Sequence, residues 1–316
     1  MRKKRILVWP LFLCFFLGLF ASGGRENNDQ EHTAKTERAL YIISSPEKGE
    51  LGSFFNIRFK AVRKIEKAWI SIYSPEEKKM QTINAFPIDK SEKEWTALAA
   101  VAVWWKSGRW KIRTHFIIGG ALFEEDKDFD VTEKEFEEFV MNLSAKNTKI
   151  LQDKSPKKTE QRNRFAEIIK EQNIDSLYWR GPFIMPFPAK RISSTFAEKR
   201  TSKYTDGKTS TSRHWGIDYP APTGTPIAAP GDGKIVLAEN RIVTGWTIII
   251  EHAPAVYTIY YHLNKIYIKE GDFVKQNTKI AEIGSTGFST GPHLHWELRI
   301  NEIPADPELL LTKELF

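Results

Sequence analysis

The chain has 316 residues, 41% of them hydrophobic and 28% charged, with a formal net charge of +7. That balance excludes a wholly disordered or fibrous protein and leaves room for two modest domains. The only cysteine, Cys14, lies in the N-terminal apolar run, so a chain trimmed of that run holds neither a disulfide nor a thiolate-bound metal; any metal must be held by His, Asp or Glu.

Residues 1–23 read as a secretory signal peptide: the cations of "MRKKR", the apolar "ILVWPLFLCFFLGLF" and the small residues of "ASGG" follow in the expected order, with cleavage between Ala21 and Gly23. A retained membrane anchor is the other reading, although the apolar core is shorter than the roughly 20 residues that span a bilayer comfortably. Both readings export the remainder to the periplasm or cell envelope. Lipid attachment at Cys14 would want a small residue before it, and Leu13 stands there. Removing Arg2, Lys3, Lys4 and Arg5 from +7 leaves +3. This suits anionic surroundings such as cell-wall polymers, and no clustered basic motif points to nucleic acid.

Residues 24–39 are polar and aperiodic, a flexible leash in which His32 is solvated. From 40 to 131 the chain reads as a β-rich accessory domain, a small antiparallel sandwich. In "FFNIRFKA", Phe55, Ile57 and Phe59 alternate with Asn56, Arg58 and Lys60, one face inward and one outward. His115 is a structural or surface residue of such a strand. Residues 132–179 read as a helical linker. "TEKEFEEFVMNL" sets Thr132 and Glu135 in capping-box spacing, with Phe136, Phe139, Val140 and Leu143 at helical spacing. "SPKKTEQRNRFAEIIKEQ" has Ser155 as N-cap and Pro156 at the first helical position, and the pair of helices makes a solvated spacer. From 180 to 316 short strands return, giving a second, antiparallel β domain and a mainly β fold class overall.

Five of the seven histidines fall between His214 and His295. In "HLHWELRI", His293 and His295 share one face of a strand, and in "HWGID" His214 and Asp218 are an even number apart and also share a side. Two imidazoles and a carboxylate converging would suit Zn²⁺ and leave one position for water. Either motif alone is weak; with no usable cysteine, an export leader and His262 following two tyrosines, the set points to a catalytic metal site.

"RHWGIDYPAPTGTPIAAPGDGKIV", "YYHL", "IKEGDFVKQNTKIAEIGSTGFSTGPHLHWEL" and the terminal "ADP" resemble the lysostaphin-like, LytM-type zinc endopeptidases over about residues 180–310. The preceding β domain and linker resemble, more loosely, the accessory region of secreted members. The resemblance implies one Zn²⁺ per chain on His214, Asp218 and His295, with His262 and His293 as the catalytic pair. It implies His252 as structural; Glu297, on the same strand face as His293 and His295, either supports the site or takes a salt-bridge or surface position. The implied substrate is the peptide cross-links of peptidoglycan, D-amino-acid-containing links rather than pentaglycine. The alternative is a catalytically silent relative that activates another wall hydrolase; an envelope scaffold with incidental histidines is a further one. Ala197, Asn277 and Ala255 stand where the family often has glycine.

Overall fold

The computed structural model describes residues 41–316. The leader, Cys14, the leash and His32 lie outside the described residues. The first nine strands are β1 (Tyr41–Ser44), β2 (Lys48–Glu50), β3 (Phe54–Ala61), β4 (Lys67–Tyr73), β5 (Lys79–Asn84), β6 (Phe86–Pro87), β7 (Glu94–Ala100), β8 (Gly108–Ile118) and β9 (Ala121–Thr132). They form two sheets, ordered β1-β3-β7-β6 and β2-β9-β8-β4-β5. Phe55, Ile57 and Phe59 of β3 are buried against Ile70, Ile112 and Phe129 of the other sheet, while Arg58 and Lys60 face water. The alternation read from the sequence is therefore the one the sheet uses.

Neighbours in these sheets also serve a second core. Phe54 and Leu98, on the opposite face of β3 and β7, pack with Leu310 and Leu315 of the C-terminal segment, and Asn301 Nδ2 donates to the Leu98 carbonyl at 2.7 Å. The N-terminal sheets are thus continuous with the region that follows.

Residues 132–143, expected to be helical, instead contain the strand β10 (Glu138–Asn142). It runs parallel to β11 (Lys199–Lys203), which pairs in turn with β12 (Thr209–Arg213). The capping-box pattern loses because "EFVMN" finds a ladder of backbone hydrogen bonds sixty residues away, and short-range helical spacing cannot register a partner so distant. Helix α1 (Ala145–Gln152) follows, capped by Ser144. Helix α2 (Pro156–Lys170) forms as expected, with Ser155 accepting from the Lys158 N–H and Pro156 at its start.

Helix α2 does not behave as a solvated spacer. Its Phe165, Ile168 and Ile169 cover Leu237, Ile249 and Ile259. Buried Gln161 donates to Asn240 O at 3.2 Å and accepts from Ile242 N at 2.9 Å.

The remaining strands are β13 (Gly216–Pro220), β14 (Pro226–Ala228), β15 (Gly233–Arg241), β16 (Gly245–Ala253), β17 (Val256–Leu263), β18 (Lys265–Ile266), β19 (Phe273–Val274), β20 (Lys279–Glu282), β21 (His293–Ile300) and β22 (Ile303–Ala305). The main sheet is antiparallel, in the order β13-β21-β17-β16-β15-β19, with β22 on β21. Strand β21 separates its two faces cleanly. Leu294, Trp296, Leu298 and Ile300 enter the large core, while His293, His295, Glu297 and Arg299 point to the side that α2 covers.

Candidate metal centre

Asp218 on β13 lies directly opposite His295 on β21 in the antiparallel register, so their side chains leave the sheet on the same side. His214 precedes β13 and reaches the same point. Its Nε2 is 3.0 Å from Asp218 Oδ1 and 2.7 Å from His295 Nδ1, and His295 Nδ1 is 2.8 Å from the same carboxylate oxygen. All three residues are buried. Among the described residues this is the trio whose ligand atoms all lie within 4.8 Å of one another.

Each member has its outer atom committed. His214 Nδ1–H donates to Thr195 O at 2.9 Å, which leaves the Nε2 lone pair for the centre. His295 Nε2–H donates to Glu297 Oε1 at 3.0 Å, and Glu297 Oε2 accepts from Arg299 Nε and Nη2 at 2.8 and 2.7 Å. Asp218 turns Oδ2 to Arg200 Nη2 at 2.8 Å, and Arg200 Nε donates to Glu198 at 2.8 Å, leaving Oδ1 free to bind inward. Outer hydrogen bonds of this kind fix imidazole tautomers and raise ligand basicity.

The protonation pattern tests the fit of a cation. Burial disfavours charge on His295, yet the Asp218 and Glu297 carboxylates outweigh it and raise the group to about 9. Burial likewise opposes ionisation of Asp218, but the adjoining His214 and His295 rings hold it well below the usual carboxylate range. Burial also opposes charge on Glu297, and Arg299 with His295 brings it down to about 2. Burial lowers His214. A proton on His295 Nδ1 therefore lies between an imidazole nitrogen and a carboxylate oxygen, where electron pairs converge and demand positive charge. Two nitrogens and one oxygen suit a borderline divalent ion such as Zn²⁺, whose binding would release that proton.

His262 and His293 stand beside the trio. Their ring centroids are 4.8 Å apart, and His293 Nε2 is 3.6 Å from Asp218 Oδ1. Each anchors Nδ1–H on a loop carbonyl, His262 on Thr286 O and His293 on Gly291 O, both at 2.8 Å. Both Nε2 atoms are left as acceptors. Burial, helped by neighbouring His293 and His295, pushes His262 down to about 3, and burial lowers His293 as well.

His262 reaches this place through a bulge. The ladder pairs Ile248 with Tyr260 and Trp246 with Leu263, so Tyr261 and His262 together face the single residue Thr247. His262 has φ 61°, and its N–H donates to Thr244 O at 2.9 Å. Left-handed backbone in a non-glycine residue is costly and marks positions that the surrounding structure imposes. Gly216 has the opposite role: a Cβ there would come within 2.8 Å of His295 Nε2 and 2.3 Å of Trp296 O, so the glycine of "HWGID" admits the His295–Glu297 pair.

The five residues singled out in the sequence therefore lie together, and Glu297 both supports His295 and forms the ion pair with Arg299. His252 is elsewhere, fully buried with Nδ1–H donating to Asp232 O and Nε2 2.7 Å from Thr258 Oγ1. His115 belongs to the N-terminal sheets. Arg200, Glu198 and the anchoring carbonyls of Thr195, Thr286 and Gly291 had no signal in the sequence. Arg299 had one, because it follows His295 and Glu297 in phase along β21. Asp306 of "ADP" caps the short 3₁₀ helix Pro307–Leu311, accepting from Glu308 N. Ala197, Ala255 and Asn277 have φ of 60°, 57° and 68°, so the positions where the resemblance leads one to expect glycine are left-handed in this chain.

An antiparallel sheet carrying a buried His-Asp-His trio beside two anchored histidines defines a metallopeptidase-like domain. Over residues 212–307 the chain matches the model of Peptidase family M23. It is 41% identical over 138 residues to an uncharacterized metalloprotease of Buchnera aphidicola, covering 44% of this chain and 35% of that protein. It is 39% identical over 117 residues to the peptidoglycan DD-endopeptidase ShyB of Vibrio cholerae, covering 37% and 27%. The chain thus spans about a third of the length of these relatives. A solved structure described as a putative peptidase M23 from Pseudomonas aeruginosa shares the fold, with a TM-score of 0.50, 22% identity, and coverage of 77% of this chain and 87% of that one.

Proposed function

We propose that the protein is an exported zinc metalloendopeptidase that hydrolyses peptide cross-links of peptidoglycan during remodelling of the cell wall. The observation that carries this reading is the convergence of His214, Asp218 and His295 next to the anchored pair His262 and His293. A zinc ion bound by the trio supplies Lewis acidity and a water acidified from 15.7 to about 7. The remaining work belongs to the side chains. A neutral His262 or His293 accepts the proton of the attacking water at Nε2, and the imidazolium then stabilises the developing oxyanion and delivers that proton to the leaving amine. The bonds to Thr286 O and Gly291 O keep both rings oriented through this exchange.

The signal peptide reading of residues 1–23 supports action in the periplasm or cell envelope. All five functional positions are present, which favours an enzyme over a silent activator. The test is zinc stoichiometry together with muropeptide release from purified peptidoglycan. The reading requires one zinc per chain and released cross-links, loss of metal in His295→Ala, and retention of metal with loss of activity in His293→Ala. A protein that binds no zinc and cleaves nothing overturns it.

A further inference from the structure

The two carbonyls that aim His262 and His293 lie on one loop, "STGFSTGP" (285–292), between β20 and β21. Its first half is pinned to the main sheet. Thr286 Oγ1 donates to Leu263 O at 2.8 Å and accepts from Trp246 N at 3.0 Å, and Phe288 N donates to Val243 O at 2.7 Å. Gly287 packs so closely on Gly245 that a Cβ would come within 2.4 Å of the Gly245 N. The carbonyl that orients His262 is therefore fixed by the β15–β16 hairpin.

The second half, which orients His293, lacks that support. Ser289 Oγ donates to Gly291 O at 2.7 Å, the same carbonyl that takes His293 Nδ1–H at 2.8 Å. The Gly291 N–H and the Ser285 hydroxyl donate to Ser289 Oγ at 3.3 and 3.0 Å. Among the described residues, the hydrogen bond that reaches 289–292 from outside the loop comes from α1, where Asn147 Nδ2 donates to Ser289 O at 3.3 Å.

Helix α1 suits that contact better than it suits core packing. Its buried side chains are Asn147 and Thr148, both polar, whereas α2 docks through Phe165, Ile168 and Ile169. Ser144 Oγ accepts from Asn147 N at 3.2 Å and fixes the backbone there. Thr148 Oγ1 accepts from Thr205 N at 3.3 Å, which ties the helix to the β11–β12 turn as well. Asn147 is 4% exposed, and its Oδ1 has no hydrogen-bond partner. A buried acceptor left bare costs stability, and an apolar side chain of the same size would avoid that cost. Stability therefore gives no reason for asparagine at this place, and the bond from its Nδ2 to the loop does.

We propose that Asn147 is a positioning residue for His293: by holding Ser289 it fixes the half-loop whose Gly291 carbonyl sets the tautomer and direction of the ring, so that turnover requires the linker helix. The inference rests on the hydrolase reading above and extends its machinery to a residue outside the segment 212–307. A reacting group misplaced by about 1 Å loses up to about 100-fold in rate while substrate and metal still bind.

The experiment uses the zinc-loaded mature chain and four variants. Asn147→Leu keeps the volume and removes the donor, Lys146→Ala alters an exposed residue of α1, and Ser289→Ala and Ser289→Thr remove and restore the hydroxyl. Zinc content, Tm, kcat and KM on cross-linked muropeptides are measured, together with the ring tautomers of the histidines from ¹H–¹⁵N spectra. Asn147→Leu should lower kcat by about tenfold or more with KM and zinc content unchanged and Tm no lower than wild type. His293 should be a single Nδ1–H tautomer in wild type and a mixture in that variant. Lys146→Ala should match wild type, and Ser289→Thr should recover most of what Ser289→Ala loses. A Tm that falls together with kcat in Asn147→Leu would make the residue merely structural, and faster turnover would mean that α1 restrains the site; each overturns the proposal. A tautomer change in a protein that cleaves nothing would keep the positioning role and sink the hydrolase reading, whereas cleavage with kcat and tautomer unchanged in Asn147→Leu would do the reverse.

Discussion

Two buried histidines, one in each β region, have nearly the same local description. His115 on β8 and His295 on β21 are 8% and 6% exposed, sit on sheet strands, and place one ring nitrogen against a glutamate. They differ at the second nitrogen. His115 Nε2 is taken by Ser71 Oγ at 3.1 Å, and its ring is stacked on Trp69. His295 Nδ1 faces an imidazole nitrogen and a carboxylate oxygen, both within hydrogen-bond reach. Burial and a carboxylate partner are therefore common structural features, and a metal centre is marked by uncommitted donors converging from separate strands.

The largest expected effect breaks that comparison directly. His295→Ala should abolish stoichiometric zinc and lower kcat/KM by ~10³-fold or more, whereas His115→Ala should leave both within error. Metal analysis paired with muropeptide assays decides it, and loss of zinc in the His115 variant would refute the distinction. Next, Glu297→Gln leaves the His295 ring weakly oriented and should weaken zinc affinity by roughly 10- to 100-fold, measurable by competition with a chelator. Unchanged affinity would mean that the His295–Glu297–Arg299 chain is a packing device.

Acid stability sharpens the contrast between ligand histidines and structural ones. Burial lowers His252 from 6.5 to about 4. A base depressed in the folded state stabilises the fold above the unfolded value, and that stability is lost as pH falls from 6.5 through 4. The contribution amounts to about 3 kcal/mol. Denaturant midpoints of the metal-free protein should fall across this window, and His252→Gln should flatten the fall; an unchanged slope would discount burial of a neutral imidazole. The smallest effect concerns backbone strain. Ala197→Gly and Ala255→Gly relieve left-handed alanines and should each raise stability by about 1 kcal/mol in chemical denaturation. Asn277→Gly should gain less, because asparagine tolerates that conformation.

Several elements were legible because their cause is local. The alternation in β3 and β21 assigns their faces, and the Ser155–Pro156 start identifies α2. Helix formation across 132–143 was misread because the partner of β10 is a strand near residue 200, and no spacing within the segment encodes that pairing. The catalytic role of His262 was legible only by resemblance. Strict alternation would send it to the face opposite Tyr261; the bulge instead brings Tyr260 and Leu263, three residues apart, into the same core and turns His262 to the centre.

By itself the sequence determined a mainly β chain, the ligand types available once Cys14 is set aside, and the in-phase row His293, His295, Glu297 and Arg299, because period-two patterning and side-chain chemistry are written residue by residue. The tertiary structure decided the rest: the register that sets Asp218 opposite His295, the bulge that aims His262, the Arg200 contact that leaves one Asp218 oxygen free, and the docking of α1 against the loop that carries Gly291. Each of these depends on a distance between segments far apart in the chain, and such a distance exists only after both have packed on the same sheet.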